Sequence, residues 1–208
     1  MIIVFNGDSH TAGANTTVSN RFSNLVSAAL NADVVNIAKG GASNDRILRT
    51  TQEYIANNKV DLVVIGWSTW EREEWKYQDS YYDVNSSGHD VLPPALLDRY
   101  KTWVIDQTPE SLIVKSQKWH EDIYKFHLEL EQKKIKHLFF NCMYNFFRPL
   151  CVYNWNDQYI GPYDNDSSYY WNLKNQGIQT DKWYHFDSAG HGVWANLLID
   201  HINQYKLL

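Results

Sequence analysis

The sequence predicts an α/β fold, a three-layer α/β/α sandwich around a central parallel sheet. Three observations carry this expectation. Strand-like and helix-like patterns alternate through the first 66 residues, as they do when parallel strands are joined by crossover helices. The run Val60-Asp61-Leu62-Val63-Val64-Ile65-Gly66 is apolar enough to be buried on both faces, which is how parallel strands sit. The second half of the chain then returns to long helix, strand and final helix.

Taken in order, the first strand is Ile2-Ile3-Val4-Phe5-Asn6. It ends abruptly in Gly7-Asp8-Ser9 and continues in small, turn-prone residues to Gly13. Ligands bind beyond the carboxyl ends of such strands, so Ser9 stands there either as a helix cap or as a nucleophile. Phe22, Leu25, Val26, Ala29 and Leu30 fall at i, i+3, i+4, i+7 and i+8, the stripe of an amphipathic helix. Residues 33–37 are β-rich. The turn Ala38-Lys39-Gly40-Gly41-Ala42-Ser43 then opens a helix on which Ile47, Thr51, Tyr54 and Ile55 share a face. After the strand at 60–66, residues 67–95 are aromatic and polar, with the breakers Asn85-Ser86-Ser87-Gly88 and Pro93-Pro94, and read as an excursion from the scaffold. A long helix from about Pro109 lines Trp119, Ile123, Phe126 and Leu130 along one face, and Lys133-Lys134 suit its negative end. Residues 137–141 form a fourth strand, and 142–184 a second aromatic loop region with room for a short fifth strand. Asp187 caps a final helix in which Trp194, Leu197, Leu198, His201, Ile202 and Tyr205 keep helical spacing.

Bulk properties narrow the function classes. A length of 208 residues suits one domain, 1–208, carrying excursions at about 67–95 and 142–184. The 44% hydrophobic content supports a core without disulfides or disorder. A formal charge of −5 gives no electrostatic reason to expect nucleic acid or anionic lipid as partner. Cys142 and Cys151 lack metal-ligand spacing and read as reduced thiols. No run approaches the roughly 18 apolar residues of a membrane span, and the first residues lack the basic region and cleavage site of a signal peptide. The expectation is a soluble, cytoplasmic protein.

Four blocks of sequence, in order, resemble those of the SGNH (GDSL-type) esterases and acylhydrolases. Gly7-Asp8-Ser9 follows the first strand, with His10 where the family usually has Leu. Asn36-Ile37-Ala38-Lys39-Gly40-Gly41-Ala42-Ser43 is similar to the second block, and Gly41 matches the glycine whose backbone N–H faces the oxyanion. Gly66-Trp67-Ser68-Thr69 stands where the third block reads Gly-x-Asn-Asp, so the Asn is missing. His185-Phe186-Asp187-Ser188-Ala189-Gly190-His191 reproduces the interval between the two histidines of the last block, of which the first is the catalytic one. The usual acid three positions before that base is Lys182 here, and Asp181 is the nearest carboxylate. The resemblance covers both ends of the chain and leaves the two aromatic segments unmatched. The phrase Val64-Ile65-Gly66-Trp67-Ser68-Thr69-Trp70-Glu71-Arg72 also looks like members carried by tailed bacteriophages, which implies a virion-associated location.

The resemblance implies a flavodoxin-like sheet and a serine esterase needing no metal or organic cofactor. Ser9 is then the nucleophile, His185 the base and Asp181 the acid that orients it. Ser9 and Gly41 N–H groups hold the oxyanion, and Ser68, Thr69, Asn44 or Asn141 are the candidates to replace the missing Asn. Each residue also has a plainer reading. Ser9 can be a cap, His185 an ordinary histidine, Asp181 a solvated carboxylate, and Gly41 a conformational requirement of a tight turn. His185, Asp187 and His191 lack helical i, i+4 pairing and a cysteine partner, which argues against a metal site. The spacing of Gly7 and Gly13, with no Lys after Gly13, excludes a phosphate-binding loop, and Gly-x-Ser-x-Gly is absent.

Nine Trp and fourteen Tyr, many of them between 67 and 103 and between 144 and 184, remain to be explained. Most such rings pack into cores. A sharper expectation is that Trp67, Trp70, Trp75 and a group running from Tyr153 to Trp183 wall a cleft above Ser9. Flat rings with polar edges suit sugar faces, so an O-acylated glycan is the preferred substrate class over lipid or small esters. The rival from another class is a glycan-binding or virion structural module that keeps the fold without turnover. The sequence gives no oligomeric state.

Overall fold

A computed structural model describes residues 1–86 and 91–208. Ser87 and Gly88 of the expected breaker lie outside the described residues. The main sheet has five parallel strands: β1 Ile2–Asn6, β2 Asp33–Asn36, β3 Leu62–Trp67, β6 Lys136–Asn141 and β7 Tyr159–Ile160, ordered β2-β1-β3-β6-β7. The register pairs Val4 with Val35 on one side and Val63 on the other. Every residue of β3 is buried, as the unbroken apolar run requires of a central parallel strand. Its side chains alternate between two cores. Leu62 and Val64 join Ile3, Phe5, Leu138 and Phe140 on one face, and Val63 and Ile65 join Phe139 on the other. The predicted α/β/α sandwich is therefore the observed architecture.

The first face is covered by α2 Phe22–Ala29 and α7 Ser188–Gln204, which pack on each other, and by α6 Tyr169–Asn175. The second is covered by α3 Asn44–Asn57 and α5 Pro109–Gln132. In α5 the predicted stripe of Trp119, Ile123, Phe126 and Leu130 is buried, and Thr108 opens the helix with a reciprocal cap to Ser111. In α2 the buried face is rotated from the predicted one. Phe22, Ser23, Val26 and Ser27 point inward, Leu25 is half-buried, and Ala29 is exposed. Ser23 tolerates burial because Asn36 Nδ2 donates to its hydroxyl at 3.0 Å.

The excursion at 67–95 contains regular structure that its aromatic and polar composition hid. Strands β4 Glu73–Tyr77 and β5 Ser80–Val84 form an antiparallel hairpin. It rests on a separate small core of Trp75, Val84, Leu92, Leu96, Tyr100 and Trp103, the last two from α4 Leu97–Ile105. The segment 142–184 holds β7, the expected fifth strand, and also α6, whose cap is Ser168. Both excursions leave from carboxyl ends of strands, β3 and β6, so both rise from the end of the sheet where β1 delivers Ser9.

Candidate active site

The strand order changes direction at β1, whose neighbours β2 and β3 lie on opposite sides, and the crevice at such a switch is where open α/β sheets bind ligands. The side chain of Asn6, at the end of β1, is fully buried and donates to Ile47 O, Thr50 Oγ1 and Thr51 Oγ1, which pins the strand end to α3. Gly7 follows because a Cβ there would collide with Thr11 Oγ1. The chain then turns into the short helix α1 Ser9–Ala12. Its cap is Asp8, whose Oδ1 accepts from His10 N at 3.0 Å. Ser9 is thus the first helical residue and not the cap, and its hydroxyl is left for another partner.

That partner is His185. Its Nε2 lies 3.0 Å from Ser9 Oγ across 176 residues of sequence. Asp181 stands on the other edge of the ring, with Oδ2 3.6 Å from Nδ1, an ion-pair distance rather than a hydrogen bond. The four-residue interval works because 181–185 closes on itself. Asp181 N donates to His185 O at 2.9 Å, His185 N donates to Asp181 Oδ1 at 2.9 Å, and Tyr184 takes a left-handed φ of 68° to complete the turn. The hydrogen bond from the His185 N–H, helped by that from Trp183 N–H and by the His185 ring, holds the Asp181 carboxyl below the usual carboxylate range, against an opposing effect of burial. In the tautomer with Nδ1–H toward Asp181, Nε2 accepts from the Ser9 hydroxyl. Lys182 lies over the Trp183 ring instead, 5.2 Å from its centroid.

Gly41 sits on the turn between β2 and α3 with φ of 76°, a conformation that favours glycine. The turn is tied down by Lys39 N donating to Gly7 O and by Asn36, whose amide spans Thr11 O and Ser23 Oγ. A Cβ on Gly40 would lie 4.0 Å from Ser9 Cβ, so this turn borders the serine.

Several expected residues do something else. The Ser68 hydroxyl donates to Asp8 Oδ2 at 3.0 Å and receives Arg72 Nη1 at 3.0 Å. Asn44 is fully buried, its Oδ1 accepting from Ser68 N and its Nδ2 donating to Ser68 O. Asn141 accepts from Tyr159 OH and donates to Pro162 O, and Thr69 donates to Glu71. All four side chains are engaged in these contacts. Trp67 and Trp70, 0% and 1% exposed, are core residues: Trp67 packs edge-on to Phe126 and Phe139, and Trp70 stacks on Phe146. Trp75 is buried under the hairpin, and Tyr153 stacks on Tyr124 of α5. Of the expected walls, Trp183, 66% exposed, faces solvent, and Tyr170 and Trp171 line a cavity. Asp187 caps α7 through Ala189 N and Gly190 N, and His191 is buried against Phe22, its Nδ1 accepting from Phe22 N.

The sequence did not single out Arg72, nor Met143, Tyr144 and Tyr184 in the aromatic basin beside the histidine. Arg72 reaches Asp8 Oδ2 at 3.3 Å. Burial pushes the Asp8 carboxyl up, but His10, Arg72 and two hydrogen bonds outweigh it and hold the group ionised below its usual range. His10 packs edge-on to His185 with ring centroids 5.5 Å apart, and burial lowers its own pKa. Met143, Tyr144, Tyr170, Trp171 and Tyr184 line an uncharged cavity of about 340 Å³, and Tyr184 immediately precedes His185. Among the described residues, no group of three or more His, Cys, Asp or Glu is placed to hold a metal ion, and no helix is long and apolar enough to cross a membrane.

No family model and no curated protein matches the chain. Solved structures do. A carbohydrate esterase whose active site has divergent catalytic and non-catalytic binding functions aligns with 98% of the chain at 17% identity, TM-score 0.51. A two-domain esterase active on acetylated mannans aligns with 99% at 16% identity, TM-score 0.52. A candidate SGNH hydrolase from Slackia heliotrinireducens aligns with 97% of this chain and 98% of its own at 15% identity, TM-score 0.50. The chain spans 64% of the first of these proteins and 49% of the second. At such identities the likeness is one of fold: a five-stranded parallel sheet flanked by helices, as in the SGNH hydrolases.

Proposed function

We propose that the chain is a serine hydrolase of carboxylic esters, acting on an O-acyl group carried by a glycan. The observation that carries this reading is the 3.0 Å contact between Ser9 Oγ and His185 Nε2 at the switch point of the sheet. A serine hydroxyl is a poor nucleophile until an imidazole can take its proton. In the proposed reaction Ser9 Oγ bonds to the ester carbonyl carbon while its proton passes to His185 Nε2. Asp181 fixes the tautomer and stabilises the imidazolium. The carbonyl oxygen becomes an oxyanion held by the N–H groups of Ser9 and Gly41. Ser9 is the first residue of α1, so its N–H has no partner within the helix. Collapse expels the alcohol, which takes the proton from His185. Water, deprotonated by the same imidazole, then releases the acid from Ser9.

The glycan part of the reading draws on the basin beside His185. Its uncharged aromatic lining suits a neutral, flat-faced group better than a charged one. The structural neighbours that act on carbohydrate esters lend support at the level of fold.

The test is hydrolysis of a short-chain aryl acetate by wild type and by Ser9→Ala. Turnover by wild type that is lost in the variant is the expected result. Equal rates would remove Ser9 from the chemistry, and glycan binding without turnover would favour the binding-module reading.

A further inference from the structure

The geometry points to Arg72 as a positioning residue, which holds the turn carrying Ser9 in register with the turn carrying Gly41 by way of Asp8 and Ser68. This rests on the hydrolase reading above, in which those two turns supply the nucleophile and the oxyanion donors. The arrangement starts at Asp8. Its Oδ1 accepts from His10 N at 3.0 Å, so the place of this carboxylate sets where α1 begins and where its first residue, Ser9, stands. Its Oδ2 accepts from the Ser68 hydroxyl at 3.0 Å and from Arg72 Nη1 at 3.3 Å. Arg72 Nη1 also donates to Ser68 Oγ at 3.0 Å, so one guanidinium nitrogen closes a triangle of polar groups.

Ser68 carries the link across the strand ends. It is the first residue after β3, and Asn44 clamps its backbone, accepting from Ser68 N at 2.8 Å and donating to Ser68 O at 3.2 Å. Asn44 is in turn the first residue of α3, three positions after Gly41. The side chains of Asp8, Ser68 and Asn44 are all buried. Their contacts are therefore made away from water, where an unmet polar group is costly. A buried carboxylate stripped of its cation is more costly still, and Arg72 supplies that cation to Asp8. Arg72 itself, 22% exposed, lines a cavity of about 260 Å³ with Trp70, Trp75, Arg99 and Lys115. In this role it acts through Asp8, and it neither touches substrate nor moves a proton.

The experiment measures kcat and KM on the same aryl acetate, with the thermal midpoint, for wild type, Ser9→Ala, Arg72→Ala and Ser68→Ala. Arg72→Ala is measured again in sub-denaturing guanidinium chloride, since the cavity offers the free cation a way to the vacated place. A displacement of about 1 Å can cost about 10²-fold in rate, so Arg72→Ala is expected to lose about a hundredfold in kcat, with KM within about threefold. Guanidinium is expected to return at least about tenfold of that loss, and sodium chloride or urea at the same concentration none of it. A group that only held the fold together would lower the midpoint and give no such return. An Arg72→Ala kcat within twofold of wild type, beside an inactive Ser9→Ala, overturns this inference alone, as does a loss that guanidinium leaves untouched. Ser68→Ala keeps the pair of Asp8 and Arg72 but cuts their tie to β3. It is expected to lose about tenfold in kcat with little change in midpoint, and it decides the matter if Arg72→Ala unfolds. A wild-type kcat in Ser68→Ala overturns the inference. No turnover by wild type, or a Ser9→Ala rate equal to it, overturns the hydrolase reading and this inference with it.

Discussion

Asp181 meets His185 through its backbone and its side chain together, because the four-residue turn between them is closed by two hydrogen bonds of 2.9 Å. The sequence could place Asp181 near the base only as the closest carboxylate. It could not show that Tyr184 would adopt a left-handed φ and let the longer interval close. The placement of Ser9, Gly41 and His185 was legible, since each lies beside a strand end or helix start that hydrophobic pattern marks. The fates of Ser68 and Asn44 were not, because a hydroxyl or amide finds its partner only when distant segments meet. Trp67 and Trp70 misled for a related reason: a ring reads the same in sequence whether it lines a cleft or fills a core. If Asp181 orients the imidazole, Asp181→Asn is expected to reduce kcat by about 10²-fold or more, with the thermal midpoint little changed. Steady-state kinetics on the aryl acetate check it, and an unchanged kcat would leave Asp181 a turn-former only.

Elements fared better where one period dominated. The apolar strands and the stripe of α5 followed directly from their spacing. The β4–β5 hairpin did not, since its exposed strands are polar on both faces in places and its core is shared with α4. One consequence of element packing concerns acid. His120 and His127 on α5, His137 on β6 and His191 on α7 are all buried. His127 Nδ1 and His137 Nε2 share a 2.8 Å hydrogen bond, so at least one of the pair is neutral at that nitrogen. Burial lowers the pKa of all four, to about 4 for His120, His137 and His191. An unfolded histidine titrates near 6.5. Between about pH 6.5 and pH 4 the unfolded chain therefore binds more protons than the folded one, and stability falls as pH falls through that window. Each such group removes up to about 1.4 kcal/mol per pH unit. Urea unfolding at pH 7.5 and pH 5 is expected to show a clearly lower midpoint at pH 5. Equal midpoints would mean that these histidines titrate normally.

At the scale of the whole molecule, the strand order brings to one edge what the sequence keeps far apart. Ser9 follows β1, Gly41 follows β2, and both aromatic excursions leave from the same end of the sheet. The residues between 67 and 103 build a braced hairpin with its own core, and those between 143 and 184 build a basin beside His185. The aromatic excess is thus mostly packing that shapes the rim of the site. The central claim is that Ser9 is an activated nucleophile there, and its most direct test is covalent. A fluorophosphonate forms an O–P bond with such a serine as fluoride leaves. The expected result is one adduct by intact mass, mapped to the peptide containing Ser9 and absent from Ser9→Ala. No adduct on wild type, or an adduct elsewhere that Ser9→Ala retains, would contradict the account.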